Sequence, residues 1–155
     1  MTLIQELMNQ AAVGGLLNAS MVKRFSPAEI RETIQSLVAT EQLNLANALG
    51  DAGMSLYPDS EDILAICSLL SMINQDWPLA VELMDKLVEI QGALTPPFTY
   101  VMLVRALRCN LDPVRALAVA REGLAAYPDQ VELMAEKLSL DDFSDALLPS
   151  SGVQH

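Results

Sequence analysis

The chain has 155 residues, of which 52% are apolar but only 5% aromatic, and it carries a formal net charge of −11. That length suits one domain with a substantial core, and the balance suits helices packed through Leu, Ala, Met and Ile rather than a sandwich or barrel. Nucleic acid is not an expected partner, because the span from Glu32 to Asp85 holds nine carboxylates and no Lys or Arg.

Residues 1–26 read as an N-terminal helix, about 2–18, and a linker. Leu3, Ile4, Leu7, Met8, Ala11 and Ala12 form an apolar stripe at helical spacing. The stripe either packs on the helices that follow or makes a homodimer contact through Leu3, Leu7 and Met8. No positive region precedes it and Glu6 comes early, so it does not read as an export signal and a cytoplasmic location is expected. Ser26-Pro27-Ala28-Glu29 then combines an N-cap serine, a first-turn proline and a glutamate at the third position, the parts of a capping box. From there the pattern predicts helices at 27–40, 42–56, 60–74, 77–91, 97–110, 113–126 and 130–139. Their connections are short enough to force antiparallel neighbours. Asp59, Asp76, Asp112 and Asp129 stand at helix starts, where a carboxylate can cap. The last helix is expected to bury Val131, Met134 and Leu138 while Glu132, Glu136 and Lys137 face water. Residues 141–155 read as an acidic flexible tail. Apolar runs stop well short of bilayer length, so no membrane insertion is expected.

The stretch Tyr-Pro-Asp occurs at Tyr57-Pro58-Asp59 and again at Tyr127-Pro128-Asp129. Aligning helix pairs from Pro27, Glu61 and Pro97 puts Ala46, Ala80 and Ala116 in one column and Ile30, Leu64 and Tyr100 in another. Asp76 and Asp112 share a third. The intervals are 34 and 36 residues, with the extra two in the Gln91–Pro97 loop. A period of this length with two helices per unit resembles the tetratricopeptide repeat family over residues 27 to about 130. The third unit fits best, through Tyr100, Leu103, Leu107, Ala116, Ala120, Gly123 and Pro128. Ile34 and Val104 depart from the family by standing where it prefers a small residue, as does Leu87 at another place.

The resemblance implies an all-α, tetratricopeptide-like solenoid of three units, 27–60, 61–96 and 97–130, followed by a capping helix at 131–140. It further implies a concave groove lined by the first helix of each unit. The inward positions would be Arg31, Gln35 and Val38, then Ala65, Leu69 and Met72, then Phe98, Val101, Arg105 and Arg108. Such a wall suits an extended or helical protein segment with apolar anchors and an acidic group for the arginines to clamp. The Lys and Asn pattern by which some family members hold a chaperone's C-terminal carboxylate is not visible. Size, acidity and repeat count also resemble the bacterial type III secretion chaperones, which implies a secreted client. The alternative is a self-associating scaffold subunit of a larger assembly.

Catalysis has little to stand on. The single histidine is His155, and no phosphate loop, nucleophile elbow or Cys/His pairing occurs. Cys67 and Cys109 make neither a metal-ligand cluster nor a disulfide framework and read as packing residues. No cofactor, metal or enzymatic activity is expected.

Overall fold

A computed structural model describes residues 22–147, with side chains described as far as Asp142. The described residues form seven α-helices and one short 3-10 turn: α1 Pro27–Ala39, α2 Leu43–Leu56, α3 Glu61–Ile73, α4 Trp77–Gln91, the 3-10 turn Gly92–Leu94, α5 Pro97–Cys109, α6 Pro113–Ala126 and α7 Val131–Leu147. The expected helix at 2–18, with Leu3, Leu7 and Met8, lies outside the described residues. The chain divides into two compact units, Met1–Ile90 and Gln91–His155. The division falls at the start of the loop that takes up the two extra residues.

In unit 1, α1 begins with the full capping box. Glu29 N–H donates to Ser26 Oγ at 3.2 Å, and Ser26 N–H donates to Glu29 Oε1 at 3.0 Å. These bonds satisfy two of the donors that a helix start leaves unpaired. The α1–α2 and α3–α4 turns share one geometry, each passing through a residue at φ 60, Glu41 and Gln75. After that residue, the N–H of Gln42 reaches back to Leu37 O, and that of Asp76 to Ser71 O, both at 2.8 Å. This is the Schellman closure, usually made with glycine. The core gathers Ile30, Ile34, Leu37, Ala46, Leu49, Ile63, Ile66 and Leu70, with Val22 packed in from the preceding segment. The hydroxyls of buried Ser68 and Ser71 donate to the carbonyls of Leu64 and Cys67, so neither polar group is left unpaired in the core.

Unit 2 repeats the same devices. Leu111 takes φ 60 between α5 and α6, and Asp112 N–H donates to Leu107 O at 2.9 Å. Asp112 also caps α6, its Oδ1 accepting from Arg115 N–H at 3.2 Å. The core of this unit is built on α5, where Thr99 to Val104, Ala106 and Leu107 are all buried. Ala116, Val119, Ala120, Leu133 and Leu140 are buried in the helices that follow.

The two Tyr-Pro-Asp stretches are turns in which Ser60 N–H donates to Tyr57 O and Gln130 N–H to Tyr127 O. Proline suits the second place of such a turn. Because the turn takes four residues, the helix starts one residue later than expected. Ser60, not Asp59, caps α3 by accepting from Ile63 N–H, and Asp59 pairs instead with Lys86 Nζ at 2.9 Å. Asp129 likewise stands ahead of the start of α7. Each tyrosine hydroxyl then donates to the carbonyl just before the first helix of its own pair: Tyr57 to Phe25 O at 2.9 Å, and Tyr127 to Thr95 O at 2.7 Å.

The last helix departs from expectation in length and in facing. It continues to Leu147, past the expected end at Leu140. Asp141 continues it by pairing with Lys137 one turn back, at 2.7 Å, and it also approaches Arg121 of α6 at 3.7 Å. Val131, Met134 and Leu138, expected to be buried, are 74%, 45% and 63% exposed, whereas Leu133 and Leu140 form the inner face. The helix carries apolar residues on more than one side, so periodicity alone did not single out its inner stripe.

Candidate functional site

The residues expected to line a groove are divided between the two units. On unit 1, Arg31, Gln35 and Val38 of α1 follow one another at helical one-turn and two-turn spacing, as do Ala65, Leu69 and Met72 of α3. The two helices are neighbours, and Arg31 Nη1 pairs with Asp62 Oδ1 at 3.1 Å between them. Gln35 is exposed, while Val38, Ala65, Leu69 and Met72 are part-exposed. Val38 and Leu69 also pack on the core cluster from its edge. The unit therefore brings all six positions onto adjoining helices as a face that is apolar in its middle and carries one fixed ion pair.

Unit 2 is different. Phe98 stands 64% exposed near the start of α5, but Val101 is 1% exposed and belongs to the core. The two arginines do not wait for a ligand. Arg105 Nε donates to Glu136 Oε1 and its Nη2 to Glu132 Oε2, both at 3.2 Å. Arg108 donates to the other oxygen of Glu136 and, at 3.1 Å, to Ser139 Oγ. The Glu136 side chain is only 13% exposed, so this carboxylate is shielded and shared between two guanidinium groups. Exposed pairs contribute little, but shared, partly buried ones are stronger because charge-assisted hydrogen bonds are less screened there. The acidic group that the arginines were expected to clamp is thus supplied by α7 itself. Glu132, Glu136 and Ser139 were missed as partners because the helix was read with these carboxylates facing water. The Arg105–Glu136 pair has the same 31-residue separation as Arg31–Asp62, displaced by one helical turn from the matching repeat positions Val101 and Glu132.

Burial pushes the Cys67 thiol up to about 11, helped by the negative charge of Asp51, so it stays protonated and unreactive. Cys109 is exposed. Among the described residues no group of three or more His, Cys, Asp or Glu could hold a metal ion, and no helix is long and apolar enough to cross a membrane.

No protein-family model and no curated protein matches the chain. Among solved structures it is similar to a variant of MamA, with a TM-score of 0.67 and 14% identity, over 91% of this chain and 85% of that one. It is also similar to Acl4, the assembly chaperone of RpL4, with a TM-score of 0.61 and 16% identity. That match covers 96% of this chain but 59% of the Acl4 chain, so the present sequence spans less than two thirds of that neighbour. Among the described residues the fold is all-helical and of the tetratricopeptide-like solenoid type.

Proposed function

We propose that the chain is a protein-interaction module that holds an extended or helical segment of another protein, in the manner of a small acidic chaperone or adaptor. The observation that carries this reading is the α1–α3 face of unit 1, where Gln35 is exposed and Val38, Ala65, Leu69 and Met72 are part-exposed. Such a face offers apolar contact area, and its one cation, Arg31, is already matched by Asp62. Phe98 is the corresponding anchor on unit 2. The fold it shares with a neighbour named as an assembly chaperone supports the reading. In its finer form the client is a subunit held in the cytoplasm before type III export, as size, acidity and repeat count suggest.

Affinity capture of the tagged protein from its native cell, with mass spectrometry and sizing of what co-elutes, tests this. A stoichiometric partner lost on Met72→Glu is the expected result, and a partner that this variant retains would remove this face from the site. Arg105→Glu is a poor probe of the ligand, because it first breaks the pairs with Glu132 and Glu136, leaving Glu136 to Arg108 alone.

A second reading, a self-associating scaffold subunit, is favoured by the exposed stripe Val131, Met134 and Leu138 on α7. Leu3, Leu7 and Met8 are the candidate partner stripe. Sizing over a range of concentrations should then show an oligomer that Leu138→Glu dissociates, while a monomer throughout would dismiss the reading.

A further inference from the structure

Unit 1 contains a cavity of about 150 Å³ between α2, α3 and α4. Gly50, Cys67, Leu70 and Leu83 form its inner wall, and Asp51, Asn74 and Leu79 stand exposed at its mouth. The polar groups of the wall are already hydrogen-bonded within the protein. The Cys67 thiol donates to Gly50 O at 3.5 Å, and the Ser71 hydroxyl donates to Cys67 O at 2.9 Å. The interior therefore presents mainly carbon and sulfur. An apolar cavity of this size accepts a group about as large as benzene, which is the bulk of one Leu, Met or Phe side chain.

The mouth has the opposite character. Asn74 Nδ2 donates to Asn47 Oδ1 at 2.8 Å, fixing one edge. None of the ion pairs among the described residues engages Asp51. From Val22 to Ile90, unit 1 carries eleven carboxylates against four Lys or Arg. An occupant that brings a cation to this mouth gains attraction, and one that brings a carboxylate is repelled.

We propose that this cavity is a protein-docking site for a basic segment, taking one apolar side chain as its anchor while a neighbouring Lys or Arg of the partner meets Asp51. It is separate from the α1–α3 face, since Arg31, Gln35, Val38, Ala65, Leu69 and Met72 take no part in its lining. The geometry also explains why sequence periodicity passes over it: its inner-wall residues Gly50, Cys67, Leu70 and Leu83 look like ordinary packing positions.

The test is a titration of the full chain, followed by amide NMR, with three capped hexapeptides. In the first, two central leucines are flanked on each side by two lysines. The second has alanines for the leucines, and the third has glutamates for the lysines. The first should shift the Gly50, Cys67 and Ser71 amides saturably and bind about tenfold or more tightly than the other two. Asp51→Lys, at an exposed position, and Leu79→Trp, which fills the mouth, should each weaken it by about tenfold, while Ser36→Ala, at an exposed position outside both surfaces, should leave it unchanged. Equal binding of the three peptides, or binding that survives both mouth variants, would overturn the proposal. Shifts of the same amides with concentration in the protein alone would make a second copy the occupant and overturn the choice of partner.

Discussion

Gly53 and Gly123 hold equivalent places four residues before the two tyrosines, yet they face different neighbours. A Cβ at Gly53 would meet Ile63 Cδ1 at 3.1 Å and Ile30 Cγ2 at 3.4 Å, both methyl ends of side chains, so the fit asks for a shift of only a few tenths of an ångström. A Cβ at Gly123 would meet Leu133 Cδ1 at 2.8 Å and Tyr100 Cγ at 2.9 Å. Tyr100 cannot withdraw easily, because it is buried and packs edge-on against Tyr127 with ring centroids 6.3 Å apart. Alanine gains about 1 kcal/mol over glycine inside a helix, whereas overpacking costs about 1–3 kcal/mol. Gly53→Ala should therefore be neutral or mildly stabilising and Gly123→Ala destabilising, as read from urea midpoints at unchanged slope. Cys67 supplies a pH test. With its thiol raised from 9.0 to about 11, the unfolded chain ionises first, so this contribution to stability is complete below pH 9 and is lost as pH rises toward 11. Cys67→Ala should flatten that fall, and alkylation at pH 8 should mark Cys109 well before Cys67.

At the scale of elements, the helix-to-helix turns show what was legible in the sequence and what was not. Ser26-Pro27-Ala28-Glu29 announces its capping box, and both Asp76 and Asp112 cap as expected. The left-handed residues Glu41, Gln75 and Leu111 carry no such mark, since none is glycine or asparagine and only the tertiary turn imposes φ 60. A side chain in that region costs about 1–2 kcal/mol. Leu111 is also 87% exposed, so it recovers little by packing. Leu111→Gly should raise stability by about 1 kcal/mol, measured by thermal or urea unfolding, and no gain would mean that its side chain contributes something unseen in its exposure. The site was legible in part for a related reason. Helical spacing puts Arg31, Gln35 and Val38 on one face of α1 and Ala65, Leu69 and Met72 on one face of α3, and the resemblance to the repeat family implied that these faces adjoin. Spacing could not reveal that Val101 turns into the core or that α7 supplies carboxylates to Arg105 and Arg108, because both depend on how a weakly patterned helix rotates against its neighbours.

At the scale of the whole molecule, charge is the dominant asymmetry, with 20 carboxylates against nine Lys or Arg. In unit 1, Arg31 and Lys86 are already paired, which leaves a surplus of like charges on a small body. Self-repulsion of this kind is screened by salt, as are the exposed ion pairs, but the repulsive terms are more numerous. Raising NaCl from about 20 mM to about 500 mM should therefore raise the melting temperature. A fall would mean that the Arg105–Glu136–Arg108 cluster and its like outweigh the repulsion.

The tyrosine hydroxyls carry a last consequence. Tyr57 reaches Phe25 O and Tyr127 reaches Thr95 O across the same separation, 32 residues in each case. Each hydrogen bond fastens a span of fixed length, so a deletion or insertion within either span would pull the hydroxyl off its carbonyl. Gly92–Leu94 lies outside both spans, with Ala93 and Leu94 exposed, and lengthening a loop there costs little. This makes it the natural splice point of the chain, a place to graft a reporter or an affinity tag while both fastened spans keep their length.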